Sequence, residues 1–325
     1  MSYNSVPSYE QKFFTHAEIG GVTHDGAVSG IQNWNAGYDL SEATIDILGA
    51  GFVQSIYSGP LEGEVSFSRA YIMGDDPVLM HTGEHAVSGS LIYDSYLNQG
   101  TEKVFGFNSG YLTRYAVNCS VGNSPTVDCS FRTFGRFGSG IRHGDLDFSG
   151  SNTPIHPLVF ANQGSITCGF DREGTNRVTQ VSQDYEIGRS PLYTLEPKSA
   201  QDLTGGANFV PTEVLTNYPI TVTTNITVGV DDYETANIMD NIRSGHYETI
   251  ELKVDKAYDG PTNIQDTDLD YLQDSTSENL EDNGYLTMYE FQSVTGQLVA
   301  ESIETAVDGS LSVNLSFKDY LQKVL

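Results

Sequence analysis

The chain repeats parts of itself in the same order, and this repetition restricts its fold more than any other sequence feature. Residues 110–115 read Gly-Tyr-Leu-Thr-Arg-Tyr, and residues 284–289 read Gly-Tyr-Leu-Thr-Met-Tyr. Further on, residues 124–131 share two serines, a valine and a phenylalanine with residues 310–317. Ordered matches of this kind predict two copies of one structural unit. The positions taken as the repeated motif are Tyr111, Leu112, Thr113 and Tyr115 in the first copy and Tyr285, Leu286, Thr287 and Tyr289 in the second.

Weaker matches lie upstream in both copies and keep the apolar spacing. Trp34, Tyr38, Leu40, Ile45 and Leu48 fall opposite Val181, Tyr185, Ile187, Leu192 and Leu195, and Pro60, Leu61 and Phe67 fall opposite Pro219, Ile220 and Ile226. The separation between the copies grows along the chain, as it would if the second copy had gained loop insertions. We therefore expect an N-terminal arm at 1–16, a first domain at 17–135, a linker at 136–163 and a second domain at 164–325.

The local patterns in both copies favour β-strands. Apolar residues alternate with polar ones over 220–228, 250–254, 313–317 and 127–131. A period of two places one face of a strand on a core and the other in water. One helix is expected from Asp232 to Arg243, where a capping residue and apolar residues at helical spacing precede a glycine.

The charge balance excludes some functions. The chain has 43 acidic residues against 16 Lys and Arg, and its formal net charge is −27. A broad basic face that grips nucleic acid or anionic lipid is therefore not expected. No apolar run is long enough for a signal-peptide core or a membrane-spanning helix, so we expect a soluble chain that is made in the cytosol.

The sequence contains no strong catalytic or metal-binding motif. His81 and His85 are four residues apart, but Gly83 lies between them and no third zinc ligand follows. The acidic run from Asp266 to Asp270 begins like a calcium loop, yet tyrosine replaces the required glycine at its sixth position. Nucleophile-elbow and phosphate-loop glycine patterns are absent from the sequence. We expect no cofactor, no metal and no enzymatic activity.

The three cysteines are too few for a disulfide framework in a chain of 325 residues. Reduced thiols are expected. Cys129 falls opposite Leu315 in the repeat, and a position that accepts leucine in one copy is a packing position. Cys129 is therefore interpreted as a small core residue and not as a nucleophile.

The order of these segments resembles the tail tube protein, or major tail protein, of long-tailed bacteriophages. Each copy has an alternating strand, a loop, a second alternating strand, the Tyr-Leu-Thr-x-Tyr motif and a closing strand; the clearest stretches are 177–228 and 110–131. The resemblance implies a mainly β fold: two tandem β-sandwich domains, each with a flanking helix or loop, that contribute strands to an inner β-barrel.

The resemblance also implies a function and a set of partners. A chain with two such domains would form a trimeric, pseudo-hexameric ring, and stacked rings would form the channel for DNA in the virion tail, assembled in the host cytoplasm. Its partners would be further copies of itself, a tape measure protein inside, and terminator and distal tail or baseplate proteins at the ends. A sheath would be added in contractile tails, which share the tube fold with non-contractile ones. DNA would pass through without specific binding, and no membrane partner is expected.

Two sets of residues are assigned by this resemblance. Acids beside the alternating strands are the candidates for the channel wall: Asp39, Glu62, Glu64, Asp184 and Glu186. The long loop from Glu196 and Pro197 to Asn217 is the candidate contact between successive rings, because its counterpart at 49–59 is shorter. Net negative charge on the wall would repel phosphates and prevent DNA from sticking.

Three alternatives remain open at this point. A neck, tail-terminator or head-decoration protein would have a similar sandwich. A non-viral pair of carbohydrate-binding modules would use Trp34 and the tyrosines as stacking platforms, although tyrosines on strands usually pack against cross-strand neighbours. A glycosidase would need a pair of carboxylates, and only the general abundance of acid favours it.

Overall fold

The structure is a computed structural model. It describes residues 12–19, 22–28, 30–46, 53–71, 85–94, 103–141, 161–162, 165–170, 174–175, 177–193, 211–230, 247–257, 285–291, 294–305 and 311–322. Every regular element among these residues is a β-strand, so the predicted mainly β fold is confirmed. The described residues contain no helix long and apolar enough to cross a membrane.

The described residues form sixteen strands. They are β1 (Lys12–Ile19), β2 (Val22–Val28), β3 (Ile31–Asp46), β4 (Val53–Ala70), β5 (Val87–Asp94), β6 (Lys103–Ser120), β7 (Thr126–Thr133), β8 (Phe137–Ser139), β9 (Ile166–Gly169), β10 (Gly174–Thr175), β11 (Val178–Leu192), β12 (Glu213–Gly229), β13 (Tyr247–Ala257), β14 (Tyr285–Glu290), β15 (Val294–Thr305) and β16 (Leu311–Leu321).

The alternating sequence segments are strands with one buried face, as predicted. In β7 every second side chain from Val127 onward is buried, and the intervening ones are half-buried. The same alternation holds over 220–228 in β12 and 313–317 in β16. Cys129 lies on the buried face of β7 and belongs to the core cluster, which confirms that it is a core residue.

The two halves of the chain have the same strand order. In the first half, hydrogen-bonded neighbours follow the order β2-β1-β5-β6-β7-β4-β3, and every pairing is antiparallel. In the second half the order is β10-β9-β13-β15-β16-β12-β11, again antiparallel throughout. This agreement supports the hypothesis of an internal duplication.

The irregularities of the ladders also coincide. Where β6 pairs β7, the register shifts between Leu112 and Arg114, and where β15 pairs β16 it shifts between Leu298 and Ala300. These two shifts stand at corresponding positions, because Leu112 faces Phe131 and Leu298 faces Phe317. A bulge is a specific local feature, and its recurrence at one place in each half gives a residue-by-residue correspondence.

This correspondence corrects one match made from the sequence. The motif at 110–115 lies in β6, whereas 285–289 lies in β14, which pairs with the far end of β13. The segment of the second half that occupies the place of 110–115 is 296–301, since Gly110 pairs with β5 and Gly296 pairs with β13. The two tyrosine-rich motifs are therefore not equivalent in the sheet. Register follows the burial of alternate residues along whole strands, and a short identity does not override it.

Other boundaries differ from the expectation. Residues 12–16, predicted as part of an arm, belong to β1, and residues 137–139 at the start of the predicted linker form β8, which pairs with β6. The predicted helix from Asp232 to Arg243 and linker residues 142–160 lie outside the described residues. Ala161, near the end of that linker, is fully buried and exchanges two backbone hydrogen bonds with the β6–β7 turn.

Aromatic contacts place two layers of strands over one another. Phe13 of β1 lies 5.3 Å from Phe67 of β4 and 6.1 Å from Trp34 of β3, measured between ring centroids. Within the described ranges, β1 shares no ladder with β3 or β4, so these contacts join the β1-β2-β5 layer to the face of the β3-β4-β7 sheet. In the second half, Phe170 beside β9 contacts Phe317 of β16 in a similar way.

Strand β6 belongs to both layers and also joins the two halves. Its residues 103–110 pair with β5, and its residues 114–120 pair with β11 of the second half. On its other edge, residues 110–118 pair with β7. The sheet therefore continues without a break from the first half into the second.

Candidate functional site: a polar sheet face and its two open edges

Eight strands form one continuous layer in the order β3-β4-β7-β6-β11-β12-β16-β15. The first four strands and the last four have the same order and the same pairing, so the layer contains two similar four-strand units in tandem. One face packs on the core. The other face carries the alternate residues of each strand, and these are mainly serine, threonine, asparagine and charged residues.

The polar face is concave in the first half. An open groove of about 760 Å³ lies over β3, β4, β7 and the bulge of β6. Its lining consists of Asn35, Gly37, Tyr38, Glu62, Gly63, Glu64, Ser66, Thr113 and Arg132. Two of the acids predicted for a channel wall, Glu62 and Glu64, therefore lie in one groove.

Two of the predicted acids form ion pairs on this face. The Glu62 carboxylate of β4 accepts a hydrogen bond from Arg132 of β7. Asp184 of β11 accepts two hydrogen bonds of 3.1 Å from Nε of Arg114, and a third of 2.6 Å from its Nη2. The hydrogen bond to Asp184 raises the pKa of the Arg114 guanidinium. These two acids do not act as unpaired negative charges.

The remaining predicted acids lie on β3, β4 and β11. Glu64 is exposed on β4, and the exposed Glu186 of β11 faces Arg114 across the ladder. Asp39 lies in β3, where its backbone pairs with that of Glu62 in β4, and its side chain lies outside the described residues. The wall predicted from the acids is thus a mixed surface of hydroxyls, amides and both signs of charge.

The junction between the halves, β6 with β11, is closely packed on its core side. Tyr115 faces Tyr185 across the ladder, and their ring centroids are 5.9 Å apart at 67°. The Tyr185 hydroxyl donates to Oε1 of the buried Gln183 at 3.0 Å. Burial raises the pKa of Tyr185, and it raises the pKa of Cys119, further along the same junction, to about 12. The junction is therefore a core and not a contact between surfaces.

A buried cation connects the same junction to β12. Arg189 of β11 donates from Nε to the backbone oxygen of Leu112 at 2.9 Å and from Nη1 to the hydroxyl of Thr216. Its guanidinium also lies 5.7 Å from the ring centroid of Tyr111. Leu112 is at the bulge of β6, where the ladder to β7 is interrupted, so Arg189 satisfies a carbonyl at a site of irregular pairing.

The two ends of the eight-strand layer present open edges. Among the described residues, β3 pairs with β4 only, and β15 beyond residue 297 pairs with β16 only. Both edges expose large apolar side chains: Tyr38 of β3 is 57% exposed, and Ile303 of β15 is 56% exposed. An unpaired strand edge is a ready template for pairing with another strand.

The predicted inter-ring loop is only partly described. Glu196 and Pro197 lie outside the described residues. Asn217 is not in a loop but in β12, where it pairs with Gly188, and β12 begins at Glu213. The expectation was wrong for 213–217, because Val214 and Thr216 are buried while Glu213, Leu215 and Asn217 are exposed, which is the alternation of a strand.

The competing sites are weak in the structure. Trp34, proposed as a stacking platform for sugars, is half-buried and packs against Phe13 and Phe105. The cysteines at 119, 129 and 168 are buried and free. In the part of the chain that the structure describes, no group of three His, Cys, Asp or Glu side chains could hold a metal ion. His81 and the acidic run at 266–270 lie outside that part.

Sequence reasoning missed Arg114 and Arg189, the two cations at the junction. The sequence did contain a sign that β6 and β15 are equivalent strands. The match between residues 124–131 and 310–317 extends upstream with the same number of residues between the two copies. Leu112 then falls opposite Leu298, and Val117 falls opposite Ile303. That alignment marks β6 and β15 as equivalent strands with different environments.

Comparisons with known proteins add no family. A scan against models of protein families found no match, and no curated protein matched the chain. The strand order, the polar face and the open edges are therefore the features of the molecule that bear on its function.

Proposed function

We propose that the protein is a structural subunit of a phage tail tube, and that three chains form a ring that stacks into a channel for DNA. The observation that carries this proposal is the tandem layer β3-β4-β7-β6-β11-β12-β16-β15, whose internal junction joins the end of one four-strand unit to the start of the next. A contact between the last strand of one unit and the first strand of the next joins two different surfaces and is therefore heterologous. Heterologous contacts close into rings when the rotation between units allows it.

The strand count supports a wide channel. Three chains would contribute about 24 strands to one barrel, which is more than the 16 to 18 strands that leave an aqueous channel in porins. With strands about 4.8 Å apart and tilted by about 40°, such a barrel is roughly 50 Å across between backbones. Side chains about 5 Å deep leave a channel of roughly 40 Å, which admits a DNA duplex.

The chemistry of the polar face supports passage without binding. A DNA-binding surface presents unpaired Lys and Arg to phosphates, whereas Arg132 and Arg114 are already paired with Glu62 and Asp184. The hydroxyl and amide side chains between them offer only neutral hydrogen-bonding groups. The net charge of −27 adds a soft repulsion over a Debye length of about 8–10 Å.

Electron microscopy with image averaging tests the ring. We expect purified protein at high concentration to form rings with an open centre and sixfold symmetry modulated by a threefold one, stacked into tubes. Rings that never stack would favour a terminator or neck protein. Two-lobed particles at every concentration, both alone and in any virion that contains the chain, would overturn the proposal.

The segment between β11 and β12 is proposed to bridge successive rings. Replacing residues 196–208 by a short glycine-serine turn leaves the described strand ends at 192 and 213 intact. The variant should form rings but no tubes in the same images. Tubes of unchanged length would assign the stacking contact to another segment.

A further inference from the structure

We infer that β3 of one chain pairs antiparallel with β15 of a second copy of this chain, in the register in which Asn35 faces Glu304. This inference rests on the ring proposed above and assigns the residues that close it. The partner is a second copy because the chain already contains the same junction once, between β6 and β11.

The correspondence between the halves fixes the register. Val127, Cys129 and Phe131 of β7 correspond to Val313, Leu315 and Phe317 of β16, and the strands that pair with them correspond in turn. In the internal junction Ser182 faces Asn118. The residue that takes the place of Ser182 in β3 is Asn35, and the residue that takes the place of Asn118 in β15 is Glu304.

The exposure of the edges follows the same correspondence. Val117 in β6 and Tyr185 in β11 are at most 1% exposed at the internal junction. Their counterparts are Ile303 in β15 and Tyr38 in β3, which are more than half exposed in the single chain. Val117 and Tyr185 are thus buried at the internal junction, whereas their counterparts are exposed at the open edges. Pairing of β3 with β15 would bury both Ile303 and Tyr38.

The two junctions differ in their charges. The Arg114–Asp184 ion pair has no equivalent at the open edges, where the corresponding residues are Ala300 and Gly37. At the internal junction Tyr185 faces Tyr115. In the inferred register its counterpart Tyr38 faces Glu301, which takes the place of Tyr115. The junction between chains therefore retains the backbone ladder and the apolar edge residues and lacks the ion pair and the tyrosine pair.

Disulfide cross-linking tests the register in the full chain. Asn35 and Glu304 are exposed, so cysteines there are accessible, and directly opposite residues lie within the Cα separation of about 4.4–6.8 Å that a disulfide requires. The double variant Asn35→Cys with Glu304→Cys is compared with Asn35→Cys with Ser302→Cys. The second pair is diagonal, with a separation of about 7–8 Å. Thermal unfolding of both variants verifies that each is folded.

Under mild oxidant we expect the in-register variant to cross-link between chains at least roughly tenfold faster than the diagonal control and to end as closed, covalent trimers. The unsubstituted chain under the same oxidant measures any reaction of the buried native thiols. Rings in the micrographs with no preference for the in-register pair would overturn the register and leave the tube proposal intact. In-register cross-links in open chains without rings would uphold the register and refute the tube. An absence of both would refute the two proposals together.

Discussion

The junction inside the chain and the two open edges are made from corresponding strands, yet they differ in what surrounds them. At the β6–β11 junction, tyrosine rings pack together and an arginine forms three hydrogen bonds to a carboxylate. At the edges of β3 and β15, the corresponding positions carry an exposed tyrosine, a glutamate, an alanine and a glycine. The strand order at the internal junction and at the open edges is the same, but the side chains at corresponding positions differ.

The comparison of the internal junction with the open edges distinguishes what allows two strands to pair from what makes their pairing permanent. The backbone groups of an edge strand suffice to recruit another strand. Buried apolar area and satisfied polar groups make the pairing part of a fold. The internal junction has both, whereas the open edges have only the first. In the proposed ring, a second chain would provide the apolar burial.

The largest effect is expected from truncating the tyrosine of the internal junction. Tyr185→Ala removes a fully buried ring and its hydrogen bond to Gln183, and we expect it to lower the free energy of unfolding by about 3–5 kcal/mol. The matched change at the edge, Tyr38→Ala, should cost less than about 0.5 kcal/mol in the single chain. Denaturant midpoints at low protein concentration measure both. Equal losses would show that the two junctions are already alike in the free chain.

A smaller loss is expected from removing the buried cation. Arg189→Met leaves the Leu112 carbonyl and the Thr216 hydroxyl without this donor, which should cost about 1–3 kcal/mol. Arg189→Lys keeps the charge but lacks the planar fork, so it should restore only part of the loss. Urea unfolding compares the three proteins. Full stability in the methionine variant would mean that Arg189 does not hold the bulge.

Alkaline pH should weaken the internal junction. The folded pKa of Cys119 is raised from 9.0 to about 12, so above pH 9 the unfolded chain binds fewer protons than the folded one. Its stabilising contribution is complete below pH 9 and is lost as pH rises toward 12, at up to about 1.4 kcal/mol per pH unit. Unfolding measured from pH 8 to 11 should show a flatter decline in Cys119→Ala than in the parent protein. Parallel declines would place the titrating groups elsewhere.

The smallest effect is expected from transplanting the ion pair. Gly37→Asp with Ala300→Arg places the internal pair at the edges, and a side chain at position 37 meets no atom within 4 Å. An exposed pair contributes about 0.2–1 kcal/mol, so the protein concentration needed for rings should fall by roughly 1.4-fold to 5-fold per junction at low salt. Light scattering measures it, with each single substitution as control. A gain in the single variants equal to that in the double variant would exclude pairing across the junction.

The strands could be predicted because their signal is local. Alternating residues over 220–228 and 313–317 record which side of the backbone is buried, and β12 and β16 have that pattern. Cys129 was recognised as a core residue from the repeat, because Leu315 stands opposite it in the other copy.

The site could not be predicted in the same way because its contacts are long-range. Arg114 and Asp184 are 70 residues apart, and only the pairing of β6 with β11 brings them together. Of the acids chosen for a channel wall, Glu62, Glu64, Asp184 and Glu186 lie on one face of the sheet. The arginines that neutralise two of them were not predicted. The identity between 110–115 and 284–289 was misleading, because composition alone can repeat a short motif while register depends on the whole ladder.

The joining of two units in one chain also has a consequence for heredity. In a ring of identical single-unit chains, each substitution recurs at every boundary, and a change that harms one harms them all. In the proposed ring the β6–β11 boundary and the β3–β15 boundary are encoded by different codons. Arg114 and Asp184 could therefore arise at one kind of boundary while Ala300 and Gly37 persisted at the other. Duplication would thus free alternate boundaries to evolve apart, one toward permanence and the other toward controlled assembly.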